Sequence, residues 1–192
     1  MARDNDAATR IREAAAQLLK EGDGEFGMTG VAKRAGVSVG LAYHHFGSKA
    51  GLIGALITEF YDRYDAVTNQ KYDRSLPWRE REQIRLRDTV EFFFSDPLAS
   101  VILHRLSGSA EVMAAEDQRR RQMIAYGAEN LRRAQARGEV KDVFDAEIAA
   151  AVILGGLRQA MIHCLDDPNR PSIDDISTQL WTFVETVVAD PA

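Results

Sequence analysis

Apolar residues recur at intervals of three and four along almost the whole chain after residue 6. Ile11, Ala14, Ala15, Leu18 and Leu19 share one face of a helix over 7–20, which Gly22 and Gly24 then break. A second, short helix fits Met28 to Ala35, with Thr29 near its start. Gly36 can take the left-handed conformation that ends a helix, and Ser38 can cap the next one. Two helices joined by a short turn containing glycine are the pattern of a helix-turn-helix. A longer helix is expected from Ser48 to about residue 70, with Leu52, Ile53, Leu56, Ile57, Phe60 and Tyr64 on its apolar face. Further helices fit 78–95, 97–107, 115–137, 146–164 and 173–189. Asp96-Pro97, Gly108, Gly138 and the Pro-containing segment 166–171 separate them. No stretch alternates with the period of a strand, so the expected class is all-α.

Composition narrows this only a little. A chain of 192 residues makes one or two domains, and its 45% hydrophobic and 28% charged content is that of an ordinary soluble protein. The single cysteine, Cys164, allows no intrachain disulfide and fits a reducing compartment. The N-terminus MARDNDAATR is polar, unlike a signal peptide, and the most apolar run, Ile148 to Leu157, is short of a membrane span. A cytoplasmic protein with no membrane partner is expected.

The net charge of −5 argues at first against nucleic acid. Its distribution reverses the argument. No Asp or Glu stands between Glu25 and Glu59, while Lys33, Arg34, Lys49 and two of the four histidines lie inside that window. The local field, not the net charge, decides docking onto phosphates.

The residues of this window carry a resemblance. Val31-Ala32-Lys33-Arg34-Ala35-Gly36-Val37-Ser38, then Gly40, then Tyr43-His44-His45-Phe46-Gly47-Ser48-Lys49, is similar to the DNA-binding domain of the TetR family of bacterial repressors. The likeness runs from about residue 7 to residue 60; the rest of the chain matches only in helical character and length. It departs from the family in three places. Asp23 stands where an aromatic is usual, and Phe26 is placed to supply the ring. Gly27 and Met28 stand where Ser or Thr usually caps the second helix, which passes the phosphate contact to Thr29 or to bare amides. Ala42, beside Leu41, replaces the usual leucine of the recognition helix.

The resemblance implies a helix-turn-helix over about 27–46 whose second helix enters the major groove. Gly40 lets the backbone approach the DNA closely. Val39 is expected to meet a thymine methyl, and Tyr43, a turn on, a base or a phosphate. His44, His45 and Lys49 are expected to donate to phosphates, with Thr29 and Lys33 flanking from the helix before. Ser38 and Leu41 complete the expected DNA-binding set, while Val37, Ala42 and Phe46 read as core.

The C-terminal segments read as an interface and a pocket. In 173–189, Ile173, Ile176, Leu180, Phe183 and Val187 form one seam, and Trp181, Val184 and Val188 a second stripe. The helix 146–164 is rich in small residues, including Ala149, Gly156 and Ala160, with Val152 among them, and small residues allow close helix approach. The expected homodimer pairs these two helices from each chain, through Ala149, Val152, Gly156, Ala160, Ile176, Leu180, Trp181 and Val184. The family resemblance implies the same arrangement. Nine of the fifteen aromatics fall between Phe60 and Tyr126. By resemblance this region encloses a pocket for a small-molecule effector of unknown identity, with Tyr64, Phe93, His104, Tyr126, Arg158 and His163 as candidate contacts. Arg119-Arg120-Arg121 and Arg132-Arg133 read as a solvated face. His163-Cys164-Leu165-Asp166 lacks the repeated spacing of a metal site, and no phosphate loop or nucleophile elbow occurs.

The reading as a whole is a TetR-like homodimeric repressor with no catalytic residues, metal or cofactor. It would have a three-helix DNA-binding domain over 5–65 and a helical effector-binding and dimerisation domain over 66–192. It would bind a palindromic operator in double-stranded DNA and release it when an effector binds. The alternative is a helical small-molecule-binding protein or enzyme with a vestigial DNA-binding motif.

Overall fold

The computed structural model describes residues 2–22, 26–68, 70, 72–73, 75–104 and 110–188. Nine helices and no strand lie among the described residues, so the chain is all-α. They are α1 (Ala2–Glu21), α2 (Met28–Ala35), α3 (Val39–Phe46), α4 (Lys49–Thr68), α5 (Trp78–Ser95), α6 (Ala99–His104), α7 (Ala110–Ala136), α8 (Ala146–Asp166) and α9 (Ile173–Val188). Helices α2, α5, α8 and α9 begin where periodicity and capping residues put them. Helices α1 and α7 start earlier than expected, and α6 starts later, at Ala99. Gly24 and Gly108, expected as breaks, and Asp23 lie outside the described residues.

The chain divides into two compact units, Met1–Arg63 with Pro97–Ala115, and Tyr64–Asp96 with Glu116–Ala192. In the first, α1 packs on α2 and α3, and α2 packs on α3. Ile11, Ala15, Leu19, Val31, Ala42, Leu52 and Phe60 are fully buried there. Each large apolar side chain so buried contributes roughly 1.5–3 kcal/mol. The turn between α2 and α3 is set locally. Gly36 ends α2 at φ 66°, in the left-handed region. The amide of Val37 then donates to Ala32 O at 3.0 Å. Arg10 of α1 donates from Nη1 to Ala35 O at 3.0 Å, giving an end carbonyl of α2 a charged partner. Arg34–Glu21 at 2.7 Å and Arg12–Glu59 at 3.1 Å add ion pairs within the same unit.

In the second unit α5 packs along α9 and touches α8. Trp78 and Trp181 meet with ring centroids 6.4 Å apart, and the ion pairs Arg79–Glu185 and Arg87–Asp174 flank them. Pro77 has no side-chain donor or acceptor to cap α5. Glu139 does so instead, accepting the Trp78 amide at 3.1 Å. Asp145 caps α8, with one carboxylate oxygen accepting the amides of Glu147 and Ile148, each at 2.9 Å.

The run Ile148–Leu157 is short of a membrane span, but α8 extends it through Met161 and Ile162. The 21-residue helix Ala146–Asp166, at mean hydropathy 1.6, is long and apolar enough to cross a membrane by length and composition. Arg158 sits in its C-terminal half, and several of its apolar side chains face outward in the single chain.

Candidate nucleic-acid interface

Helix α3 exists because Ser38 and Gly47 bound it. Ser38 Oγ accepts the Leu41 amide at 3.1 Å, a side-chain N-cap. Gly47, at φ 70°, ends the helix with its amide donating to Tyr43 O at 2.8 Å. The chain then re-enters a helix at once, with Ser48 Oγ accepting the Gly51 amide at 2.9 Å. Ala42 is fully buried and fixes which side of α3 faces the core.

The opposite side of α3 presents Val39, Gly40, Tyr43 and His44 outward. Tyr43 is 47% exposed, a large figure for an aromatic with no internal role to expose it. A β-carbon built on Gly40 would meet no atom within 4 Å, so nothing inside the protein requires glycine there. Thr29 and Lys33 are exposed on α2. Gly27 caps α2 without a side-chain hydrogen bond.

Four members of the expected DNA-facing set have internal work as well. Ser38 is exposed but spends its hydroxyl on the cap. Leu41 is half-buried. His45 is half-buried too, its ring 5.6 Å from that of His44 and 6.2 Å from that of Phe46. Lys49, the first residue of α4, is half-buried, and its Nζ lies 5.3 Å from the centroid of the Phe26 ring. Sequence periodicity gave no hint of this last contact, because Phe26 belongs to no helix.

Residues 11–56 match the family model of bacterial regulatory proteins of the tetR family. Residues 11–56 are thus a TetR-type N-terminal domain, and the fold is that of solved TetR-family regulators. Solved structures of that kind match nearly end to end. NalD, the secondary repressor of the MexAB-OprM multidrug efflux pump in Pseudomonas aeruginosa, has a TM-score of 0.78 at 16% identity, covering 97% of this chain and 97% of NalD. FadR from Bacillus subtilis, in complex with stearoyl-CoA, has 0.76 at 18% identity, covering 92% and 96%. The fatty acid degradation regulator FadR from Bacillus halodurans has 0.76 at 18% identity, covering 93% and 94%. No curated protein sequence matches the chain.

The expected effector contacts do not come together as a group. Tyr64 and Phe93 are buried and adjacent, with centroids 5.5 Å apart, and Phe92 joins them at 5.6 Å from Tyr64. Arg158 is half-buried. Tyr126, however, is 55% exposed on α7, and His163 is exposed on α8, so neither lines the interior of a single chain. The side chain of His104 lies outside the described residues. Burial, with Asp167 close by, pushes the Cys164 thiol up, away from nucleophilic use.

The interface set also divides. Ala149, Ile176, Trp181 and Val184 are buried within the chain itself, against the expectation that they face a partner. A helix with two apolar stripes must turn one of them to its own core. In α9 that is the Trp181 stripe, which α5 covers. Val152 and Gly156 are exposed, and Ala160 and Leu180 are half-buried. The outward apolar side chains are Ile148 (67% exposed) and Val152 (56%) on α8 and Phe183 (55%) on α9. An open groove along α9 is lined by Thr178, Gln179, Thr182, Phe183, Thr186 and Val187.

A polar cluster at the end of α4 was not legible beforehand. The Tyr72 hydroxyl donates to Asp88 Oδ2 at 2.8 Å, and Gln70 Nε2 donates to the same oxygen at 2.6 Å. Arg85 lies over the Tyr72 ring at 4.9 Å and donates to Thr68 O, the last residue of α4, at 2.9 Å. Burial pushes the Tyr72 phenol up to about 12, so it remains a donor at any ordinary pH.

Proposed function

We propose that the chain acts as a homodimeric repressor that binds a palindromic operator through two copies of α3 and lets go when a small molecule occupies the second unit. The observation that carries the DNA side is the outward face of α3. Val39, Gly40, Tyr43 and His44 stand on one exposed surface inside an acid-free stretch of 33 residues. Tyr43 and Val39 read base edges; Thr29, Lys33, His44 and Lys49 hold phosphates; Gly40 permits close approach. His45 supports the recognition helix from the side of Phe46.

The outward apolar side chains of α8 and α9 support the dimer. Ile148, Val152 and Phe183 are 67%, 56% and 55% exposed, and Gly155 and Gly156 meet no atom that would exclude a β-carbon. A second copy packed there would cover them. This reading also accounts for α8 being apolar enough for a membrane, since a dimer interface needs the same composition.

The effector side rests on the apolar cluster of Tyr64, Phe92 and Phe93 with Arg158 in the same unit, and on the company the fold keeps. One neighbour holds stearoyl-CoA and another represses an efflux-pump system. An apolar molecule with a polar end suits such a lining. Helix α4 runs unbroken from Lys49 to Thr68, so it joins the DNA-binding unit covalently to this cluster. A 100-fold loss of operator affinity requires about 2.7 kcal/mol of coupling, within the usual range. Operator selection from random duplexes, followed by screening amphipathic ligands for release, tests the whole proposal. Selection that enriches no sequence would defeat it.

A further inference from the structure

We infer that Arg10, oriented by Asp6, is a positioning residue for DNA binding: from α1 it pins the turn that sets the direction of α3. The inference rests on the reading of α3 as the helix that meets DNA.

Helix α3 has little core of its own to aim it. Of its eight residues only Ala42 is buried, with Leu41, His45 and Phe46 half-buried. Its direction is therefore set largely where the chain leaves α2, at Gly36, Val37 and Ser38. Two of these residues bond back into α2. The Gly36 amide donates to Lys33 O at 3.3 Å and the Val37 amide to Ala32 O at 3.0 Å. Neither serves the carbonyl of Ala35, the last residue of α2. Arg10 does, donating from Nη1 at 3.0 Å across 25 positions of sequence. The same nitrogen would stand 3.7 Å from a β-carbon built on Gly36, so the guanidinium lies against the turn itself.

The arginine is held in its turn. Its Nε is 3.3 Å from Asp6 Oδ2, one turn earlier on α1. A planar guanidinium gripped at one edge points its other nitrogens in a fixed direction. Both side chains are substantially exposed, so the ion pair adds little stability. Its effect is geometric. A charged donor also suits the carbonyl end of a helix, where the backbone dipoles leave partial negative charge. The base of this arm is rigid, because Ile11, Ala15 and Leu19 anchor α1 in the core of the unit. Base contacts depend on the angle of α3 more than phosphate contacts do, since only base contacts carry sequence. Loss of the arm should therefore lower discrimination more than it lowers attraction to DNA in general.

The test uses the full chain, a selected operator duplex and a duplex of unrelated sequence, over a range of salt. Arg10→Met keeps the side-chain stem and removes the donors. It is expected to weaken operator binding about three- to tenfold while unrelated duplex changes by less than about twofold. The salt slope should stay close to that of the wild type. Asp6→Asn removes a negative charge, which by itself would strengthen binding to any duplex. It is expected instead to lower the ratio of operator affinity to unrelated affinity. A ratio that is unchanged or higher overturns the inference, even where Arg10→Met folds poorly. A salt slope lower by about one in Arg10→Met would make Arg10 a phosphate contact and overturn it as well. So would a lower melting temperature with operator affinity intact well below the melt, since the arginine would then only support the fold. Tyr43→Ala isolates the underlying reading. If it too leaves operator binding intact, the reading of α3 fails; if it alone weakens binding, only the role of Arg10 fails. Hydrogen exchange in the free protein gives a readout without DNA. In Arg10→Met the amides of Val37 and Leu41, bonded to Ala32 O and to the Ser38 cap, should exchange faster while that of Leu19 in α1 keeps its protection. No change at the first two, or equal acceleration at all three, overturns the inference.

Discussion

A β-carbon on Gly51 would overlap the backbone carbonyl oxygen of Phe46. The glycine in the first turn of α4 is therefore what lets the end of the recognition helix sit against the start of the next helix. The clash is with backbone, which cannot swing aside as a flexible side chain can. Gly51→Ala should destabilise the first unit by about 1–3 kcal/mol, as overpacking does, and reduce operator affinity at least tenfold by displacing α3. Gly54→Ala is the matched control. Its β-carbon meets nothing within 4 Å, so it should stabilise by roughly 0.5–1 kcal/mol. Thermal melts and binding isotherms of the two variants check both halves, and equal behaviour would refute the packing argument.

Gly40 makes the opposite case. It sits in the first turn of α3, and a β-carbon there meets nothing in the protein. A helical glycine without an internal reason costs roughly 0.5–1 kcal/mol relative to alanine. Gly40→Ala should thus raise stability by about that amount while weakening operator binding, because the missing side chain serves the DNA. A variant that binds as well as the wild type would show that the backbone does not approach the groove closely at this point.

How much of this was legible beforehand depends on how local the signal is. The α2–turn–α3 unit could be read because Gly36 and Ser38 act on their own neighbours, one through a positive φ and the other through a cap. The face of α3 followed from Ala42 being small and apolar among exposed positions. Helix α9 was harder. Its period shows two apolar stripes, but nothing in the period says that Trp181 meets Trp78 while Phe183 faces out. That choice is made by α5, about a hundred residues away, through long-range packing and the Arg79–Glu185 and Arg87–Asp174 pairs. Tyr126 misled for the same reason. Aromatic density marks a region, and only tertiary packing decides which rings turn inward.

Glu116 offers a pH test within the second unit. Burial raises its carboxyl above the ordinary value of 4.5, with Asp117 adding to the rise and Arg158 opposing it. A group whose folded value is raised contributes stability that is fully present below its unfolded value and is lost as pH rises through the folded one. Wild-type protein should therefore lose this contribution on passing from acid to neutral pH, and Glu116→Gln should not. The difference in melting temperature, variant minus wild type, should grow more positive between about pH 4 and pH 7. A difference that shrinks over that interval would mean that the attraction of Arg158 outweighs burial.

The divided faces of α8 and α9 give the sharpest contrast. If the outward residues form the dimer and the inward ones the core, their substitutions must fail in different ways. Val152→Arg with Phe183→Asp places charges on side chains that are 56% and 55% exposed in the single chain. The monomer should keep its helix content, while light scattering at micromolar concentration should give half the dimer mass. Operator affinity should collapse with it, because a palindrome read by one head loses the advantage of two linked sites. Trp181→Ala acts on the other face. It removes a ring that is 6% exposed and stacked near Trp78, which should cost roughly 3–5 kcal/mol of fold stability. Its melting temperature should fall whether or not the protein dimerises. If the double charge variant stays dimeric, or if it unfolds while Trp181→Ala leaves the melt unchanged, the two faces have been assigned the wrong way round.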